Sequence, residues 1–113
     1  MSLQDRRLCS ETLNKLWKHP CSFPFQQPVD PVLYNIPDYF DIIKHPMDLS
    51  TIEKKMDEYK SKEEFIADVE LMFYNCFLYN NPTDPVCDQA RELEKLFKKQ
   101  LPKLRASPVR ERK

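Results

Sequence analysis

Residues 61–81 read "SKEEFIADVELMFYNCFLYNN" and decide the fold. Ser61 and Glu64 have the S-x-x-E spacing of a capping box, so a helix starts here. Phe65, Ile66, Val69, Met72, Phe73, Cys76, Phe77 and Tyr79 follow at helical spacing. Apolar residues cover much of the circumference, which places this helix at the centre of a bundle. The run ends on Asn80 and Asn81, and Pro82 follows. Two readings of that ending stand side by side. Asparagine ends helices well because it tolerates positive φ. Alternatively, one of the two amides faces a ligand.

Working outward, three more helices supply the partners. The first spans about Gln4 to Lys18, with Leu8, Cys9, Thr12, Leu13, Leu16 and Trp17 on one face and Pro20 as its stop. "MDLSTIEKKMDEYK", 47–60, predicts the second, with Asp48 as N-cap and Leu49, Ile52 and Met56 as its stripe. The fourth begins at "DPV", with Asp84 as N-cap and Pro85 at N1. Ala90, Leu93, Leu96, Phe97, Leu101 and Leu104 carry it to about 104, and a polar tail follows. No strand pattern competes with these helices, so the fold class is an all-α four-helix bundle.

Residues 19–47 differ from everything else. Six prolines alternate there with Phe23, Phe25, Val29, Val32, Tyr34, Ile36 and Tyr39. A loop of this length inside a small domain calls for a function. This one is stiff and apolar, so it packs onto the bundle. "PDYFDIIK", 37–44, predicts a short helix within it, with Pro37 in the first turn.

Composition excludes several functions. The 113 residues suffice for one domain with one modest core, and 41% of them are hydrophobic. The chain has no glycine, so neither a phosphate-cradling loop nor a dinucleotide fingerprint can be present. No apolar run approaches the roughly 18 residues of a membrane span, and the N-terminus lacks a signal peptide's apolar stretch. The expectation is a soluble intracellular protein. Cys9, Cys21, Cys76 and Cys87 form no C-x-x-C pair, and with His19 and His45 they complete no metal spacing, so they read as reduced thiols and no metal or cofactor is expected. Cys76 and Cys87 lie in helical patterns, and nothing orients His45 as a base, so no catalytic residue is expected. Net charge is zero but uneven. Residues 91–113 hold nine Lys/Arg against three Glu, a balance of +6, which leaves −6 on residues 1–90.

An up-and-down bundle brings its first and third connections to the same end. The aromatic–proline loop and the turn 80–84 then enclose an apolar pocket walled by Phe25, Val29, Tyr34, Ile36 and Val86. Its polar groups are the Asn80 carboxamide and the Tyr39 hydroxyl. Such a pocket suits a neutral, mostly aliphatic ligand with one hydrogen-bonding group, such as an amide. It disfavours an ammonium, because an unpaired buried charge costs several kcal/mol.

"FPFQQPVDPVLYNIPDYFDIIKHPMDLSTI" and "MFYNCFLYNNPTDPV" resemble a bromodomain, the acetyl-lysine reader. The likeness covers roughly residues 5–104, leaving 1–4 as an N-terminal flank and 105–113 as a polar basic tail. The loop is similar to those of the BET and CREB-binding-protein types, and "FPFQQPVD" leans towards BET. The resemblance implies a left-handed four-helix bundle with helices Z, A, B and C, a long ZA loop and a short BC loop. It implies that Asn80 donates its side-chain NH₂ to the acetyl carbonyl and that Tyr39 reaches the same carbonyl through a water. Phe23, Pro24 and Phe25 match the three-residue shelf beside the pocket. Val29 matches a wall valine, Tyr34 and Ile36 match mouth residues, Tyr79 a lining tyrosine and Val86 the gatekeeper. Phe23 replaces the tryptophan of the BET shelf, Tyr34 stands where leucine is usual, and Pro85 follows Asp84 where BET members often lack proline.

The implied partners are acetylated histone tails, or other acetylated proteins, read by a monomeric, non-catalytic domain in nuclear chromatin. Acidic Asp30, Asp38, Asp84 and Asp88 would attract such a basic tail. A weak accessory contact of the basic fourth helix with nucleic acid is a lesser expectation, and no membrane contact is expected.

Overall fold

The structure, a computed structural model, describes residues 1–106. Five α-helices and one 3-10 helix follow one another: α1 (Leu3–Lys18), the 3-10 helix (Pro20–Phe25), α2 (Tyr39–Ile42), α3 (Leu49–Lys55), α4 (Lys62–Tyr79) and α5 (Pro85–Arg105). Four of them, α1, α3, α4 and α5, make the expected bundle. Most of the expected tail, from residue 107 on, lies outside the described residues.

Of the bundle helices, α1 and α3 have their first amides capped by a side chain, and α4 and α5 do not. The Ser2 side chain caps α1 by accepting from the Asp5 amide at 3.0 Å. Asp48, itself buried, caps α3 most fully. Its carboxylate accepts from the Ser50 and Thr51 amides and from both of their hydroxyls. The α4 capping box does not form on either side. Glu64 reaches back to the Lys60 amide at 2.7 Å, and the Ser61 hydroxyl makes no capping bond. Asp84 precedes α5 as expected, yet its side chain turns back to accept from the Asn81 amide at 3.1 Å. It therefore closes the turn rather than the helix.

The core is built on α4. Phe65, Phe73 and Val69 are fully buried, together with Leu16 of α1, Ile52 of α3 and Phe97 of α5. Phe73 stands between Phe25 and Phe97, with ring centroids 6.3 Å from each. At the base of α4, Asp68 accepts from the Tyr59 hydroxyl at 2.6 Å and pairs with Lys55 at 2.8 Å, fixing the end of α3.

The second helix is shorter than its sequence pattern. It ends at Lys55, and 56–58 turn away because the Met56 and Glu58 amides bond only three residues back. The helix in 37–44 also shrinks, to four residues, with Pro37 outside it.

Burial sets the response to alkali. It pushes the Cys9 thiol up to about 11 and raises the Tyr59 and Tyr39 hydroxyls, Tyr59 also through its bond to Asp68. Each group binds its proton more tightly folded than unfolded. Their contribution is therefore complete below about pH 9 and is lost as pH rises through the folded values. Urea midpoints are expected to be level from pH 7 to 8 and to fall steadily above pH 9. A midpoint unchanged at pH 11 would contradict this.

Candidate functional site

The first turn after α1 positions one wall. Ser22, buried, donates its hydroxyl to the Trp17 carbonyl at 2.6 Å, and Gln26 donates to Ser22 at 2.9 Å. These bonds fold Pro20–Phe25 back onto the end of α1. Phe25, 6% exposed, then points into the core against Phe73, whereas Phe23, 77% exposed, stands out as a rim. Asn35 turns the chain further on, with the described residues' one positive φ outside glycine, 55°. Asparagine tolerates that region at little cost.

The other end of the long loop is pinned to α4. Asn75, buried, donates its amide to the His45 carbonyl at 2.8 Å. Asn75→Leu leaves that carbonyl unpaired, so the loop loosens and stability falls by about 1–3 kcal/mol. Urea denaturation checks the loss. Tyr79 makes a second tie. Its hydroxyl donates to Asp38 at 2.6 Å, which pushes the phenol up to about 12, and its ring meets Tyr39 edge-on at 5.0 Å.

Between this loop and the α4–α5 turn lies a cavity of about 490 Å³. Phe23, Pro24, Phe25, Val29, Tyr34, Ile36, Tyr39, Tyr79, Asn80 and Val86, the residues expected at the pocket, line it. So do Gln27, Met47, Asp48, Met72, Cys76 and Gln89, which the sequence reading did not assign to the pocket. Met72 and Cys76 carried a helical core signal that hid their second role. Met47 and the two glutamines gave no signal beyond sitting near prolines or near Asp84.

Asn80 does not use positive φ. Its backbone is extended at φ −91° and ψ 155°, so the left-handed explanation of this residue fails. Its backbone amide bonds the Cys76 carbonyl at 3.1 Å, and its side-chain Nδ2 donates to the same oxygen at 3.0 Å. A carboxamide nitrogen carries two hydrogens. The other acceptor near Nδ2 is the Cys76 sulfur at 3.7 Å, a weak one. A donor held in place by its first bond is thus left with capacity at the cavity wall. Tyr39 is 6% exposed, and its hydroxyl bonds no group among the described residues.

Asp48 is the one carboxylate of the lining, and its oxygens are taken by the cap of α3. The cavity therefore offers no free counter-charge to an ammonium. Nor does it offer an activated nucleophile. Burial, and then neighbouring Cys87, push the Cys76 thiol up to about 12, the reverse of activation. Among the described residues, no group of three His, Cys, Asp or Glu could hold a metal ion, and no helix is long and apolar enough to cross a membrane.

The bromodomain family model matches residues 9–92, from the first buried turn of α1 to the middle of α5. The chain belongs to the bromodomain family. The all-α, left-handed four-helix bundle is that family's fold, with α1, α3, α4 and α5 as helices Z, A, B and C. This bromodomain is 54% identical over 97 residues to the SWR1 complex bromodomain subunit bdf1 of Schizosaccharomyces pombe, covering 81% of this chain. It is 48% identical over 91 residues to transcription factor GTE10 of Arabidopsis thaliana, covering 79% of this chain. The bromodomain spans 17% and 9% of the length of those two relatives.

Proposed function

We propose that the bromodomain, taken as residues 5–104, is a non-catalytic reader of N-acetyl-lysine in histone tails and other acetylated proteins, working in nuclear chromatin. The observation that carries this reading is the Asn80 amide, anchored through one bond at the wall of a neutral, largely apolar cavity. The acetyl carbonyl accepts from Asn80 Nδ2, and the Tyr39 hydroxyl supports the same oxygen through a water. The lysine's methylene stem lies against Val29, Val86 and Phe25.

Acetylation matters twice. It removes a charge that no free carboxylate of the lining would balance, and it supplies an acceptor. An ammonium is a donor only and would face Asn80 donor to donor. Outside the lining, Asp38 adjoins Tyr39 and Tyr79, and Asp84 adjoins the Asn81 turn, so the mouth is acidic. That favours a basic tail.

Magnitudes set the scale. Burying on the order of 100 Å² of apolar ligand surface contributes roughly 2–3 kcal/mol. The hydrogen bond adds about 1 kcal/mol, and association costs about 4 kcal/mol or more. A lone acetyl-lysine therefore binds weakly, and flanking contacts or a second reader supply useful affinity.

The basic face of α5 is not an equal rival. Lys95, Lys98 and Arg105 pair at the surface with Glu92, Glu94 and Glu70, while Lys99 and Lys103 make no ion pair among the described residues, so any nucleic-acid contact is accessory. Calorimetric titration with one histone-tail peptide, acetylated and unacetylated, tests the reading. Binding of the acetylated form alone is expected. Equal binding of both, or none across a broad panel of acetylated peptides, overturns it.

A further inference from the structure

Two thiols flank the turn that carries Asn80. Cys76 lies in the last turn of α4 and Cys87 in the first turn of α5, the first at the cavity wall and the second fully buried. Each sulfur lies against the backbone beside the other. Cys76 Sγ is 3.8 Å from the Val86 carbonyl oxygen, and Cys87 Sγ is 4.0 Å from the carbonyl oxygen of Cys76 itself. Cys87 Sγ also sits 3.3 Å from the Asn81 carbonyl oxygen. By contrast, Cys9 of α1 contacts Met1, which precedes that helix, and Cys21 belongs to the 3-10 helix.

We propose that Cys76 and Cys87 are an oxidation site, a dithiol that a small peroxide closes to an intrachain disulfide between α4 and α5. Cys76 reacts first, because it borders the cavity through which hydrogen peroxide enters. Its thiolate attacks the O–O bond. An S–O bond forms, the O–O bond breaks, and the departing hydroxide takes a proton and leaves as water. Cys87 sulfur then attacks the sulfenic sulfur of Cys76. The S–S bond forms, the S–O bond breaks, and a second water leaves with the Cys87 proton. Two thiols lose two electrons and one peroxide gains them. Burial holds the Cys76 thiol up at about 12, so the first step runs on a small thiolate fraction and is slow at neutral pH. The product ties the chain together on both sides of Asn80, whatever the cavity binds.

The test treats the folded, reduced full chain with hydrogen peroxide and follows its mass. Loss of two hydrogen atoms from a monomer is expected. After blocking of free thiols and cleavage at the aromatic residues between positions 76 and 87, the two cysteines should be found in linked fragments that separate on reduction. Cys87→Ala should instead gain oxygen at Cys76 with no link. Oxygen added to Cys76 of the wild type without a link, or a link through Cys9, Cys21 or a second chain, overturns the proposal. The wild-type measurement decides the matter even where Cys87→Ala does not fold.

Discussion

Asn80→Ala is expected to weaken binding of an acetylated peptide by about five- to 150-fold while the bundle stays folded. Truncation removes the Nδ2 donor and leaves the acetyl carbonyl only its water-mediated link to Tyr39, a loss of about 1–3 kcal/mol, and 1.4 kcal/mol is tenfold in affinity. The helix end survives because the backbone amide of residue 80 still bonds the Cys76 carbonyl at 3.1 Å. Calorimetry gives the affinity and circular dichroism the fold. A folded variant with wild-type affinity would remove Asn80 from the site.

Phe73→Ala is expected to cost about 3–5 kcal/mol of stability. That is a large share of the roughly 5–15 kcal/mol typical of a domain. The ring is 1% exposed and touches Phe25 on the loop side and Phe97 of α5 on the other. Neither neighbour can fill the space without leaving its own helix or turn, so a cavity remains. Phe25 would also lose its backing, and the wall it presents to the site should loosen with it. Urea denaturation measures the loss. A change below about 1 kcal/mol would mean that the core collapses freely around the site and that α4 is not its centre.

Much of this architecture was legible in the sequence because its signals are local. The apolar spacing of 65–79 placed α4 at the centre, and Asp48 declared its cap two residues ahead of the amides it accepts from. The loop's aromatic and proline residues marked it as functional, and Phe23, Phe25, Val29, Tyr34, Ile36 and Tyr39 border one cavity, whereas Val32, expected to pack, is 90% exposed. What escaped depended on partners far along the chain. Asn75 and Asn80 look alike in sequence, each following a tyrosine. Yet Asn75 is tied to a carbonyl 30 residues away, and Asn80 bonds only its own helix end. The 3-10 helix forms because Ser22 and Gln26 reach Trp17 and each other, which no periodicity announces. Asp84 and Ser61 have capping chemistry but make other bonds or none, since a turn amide competes for the first and Glu64 already serves the chain before the second.

The second amide hydrogen of Asn80 is the centre of the proposed mechanism, and it can be watched directly. In a nitrogen–proton correlation spectrum, the two Nδ2 protons of Asn80 give separate signals. On titration with an acetylated histone-tail peptide, one of them is expected to move strongly downfield as it bonds the acetyl oxygen. The other should stay near its place, bonded to the Cys76 carbonyl, and the unacetylated peptide should move neither. Both Asn80 signals unmoved, while the signals of other residues report a bound acetylated peptide, would contradict the role given to this side chain.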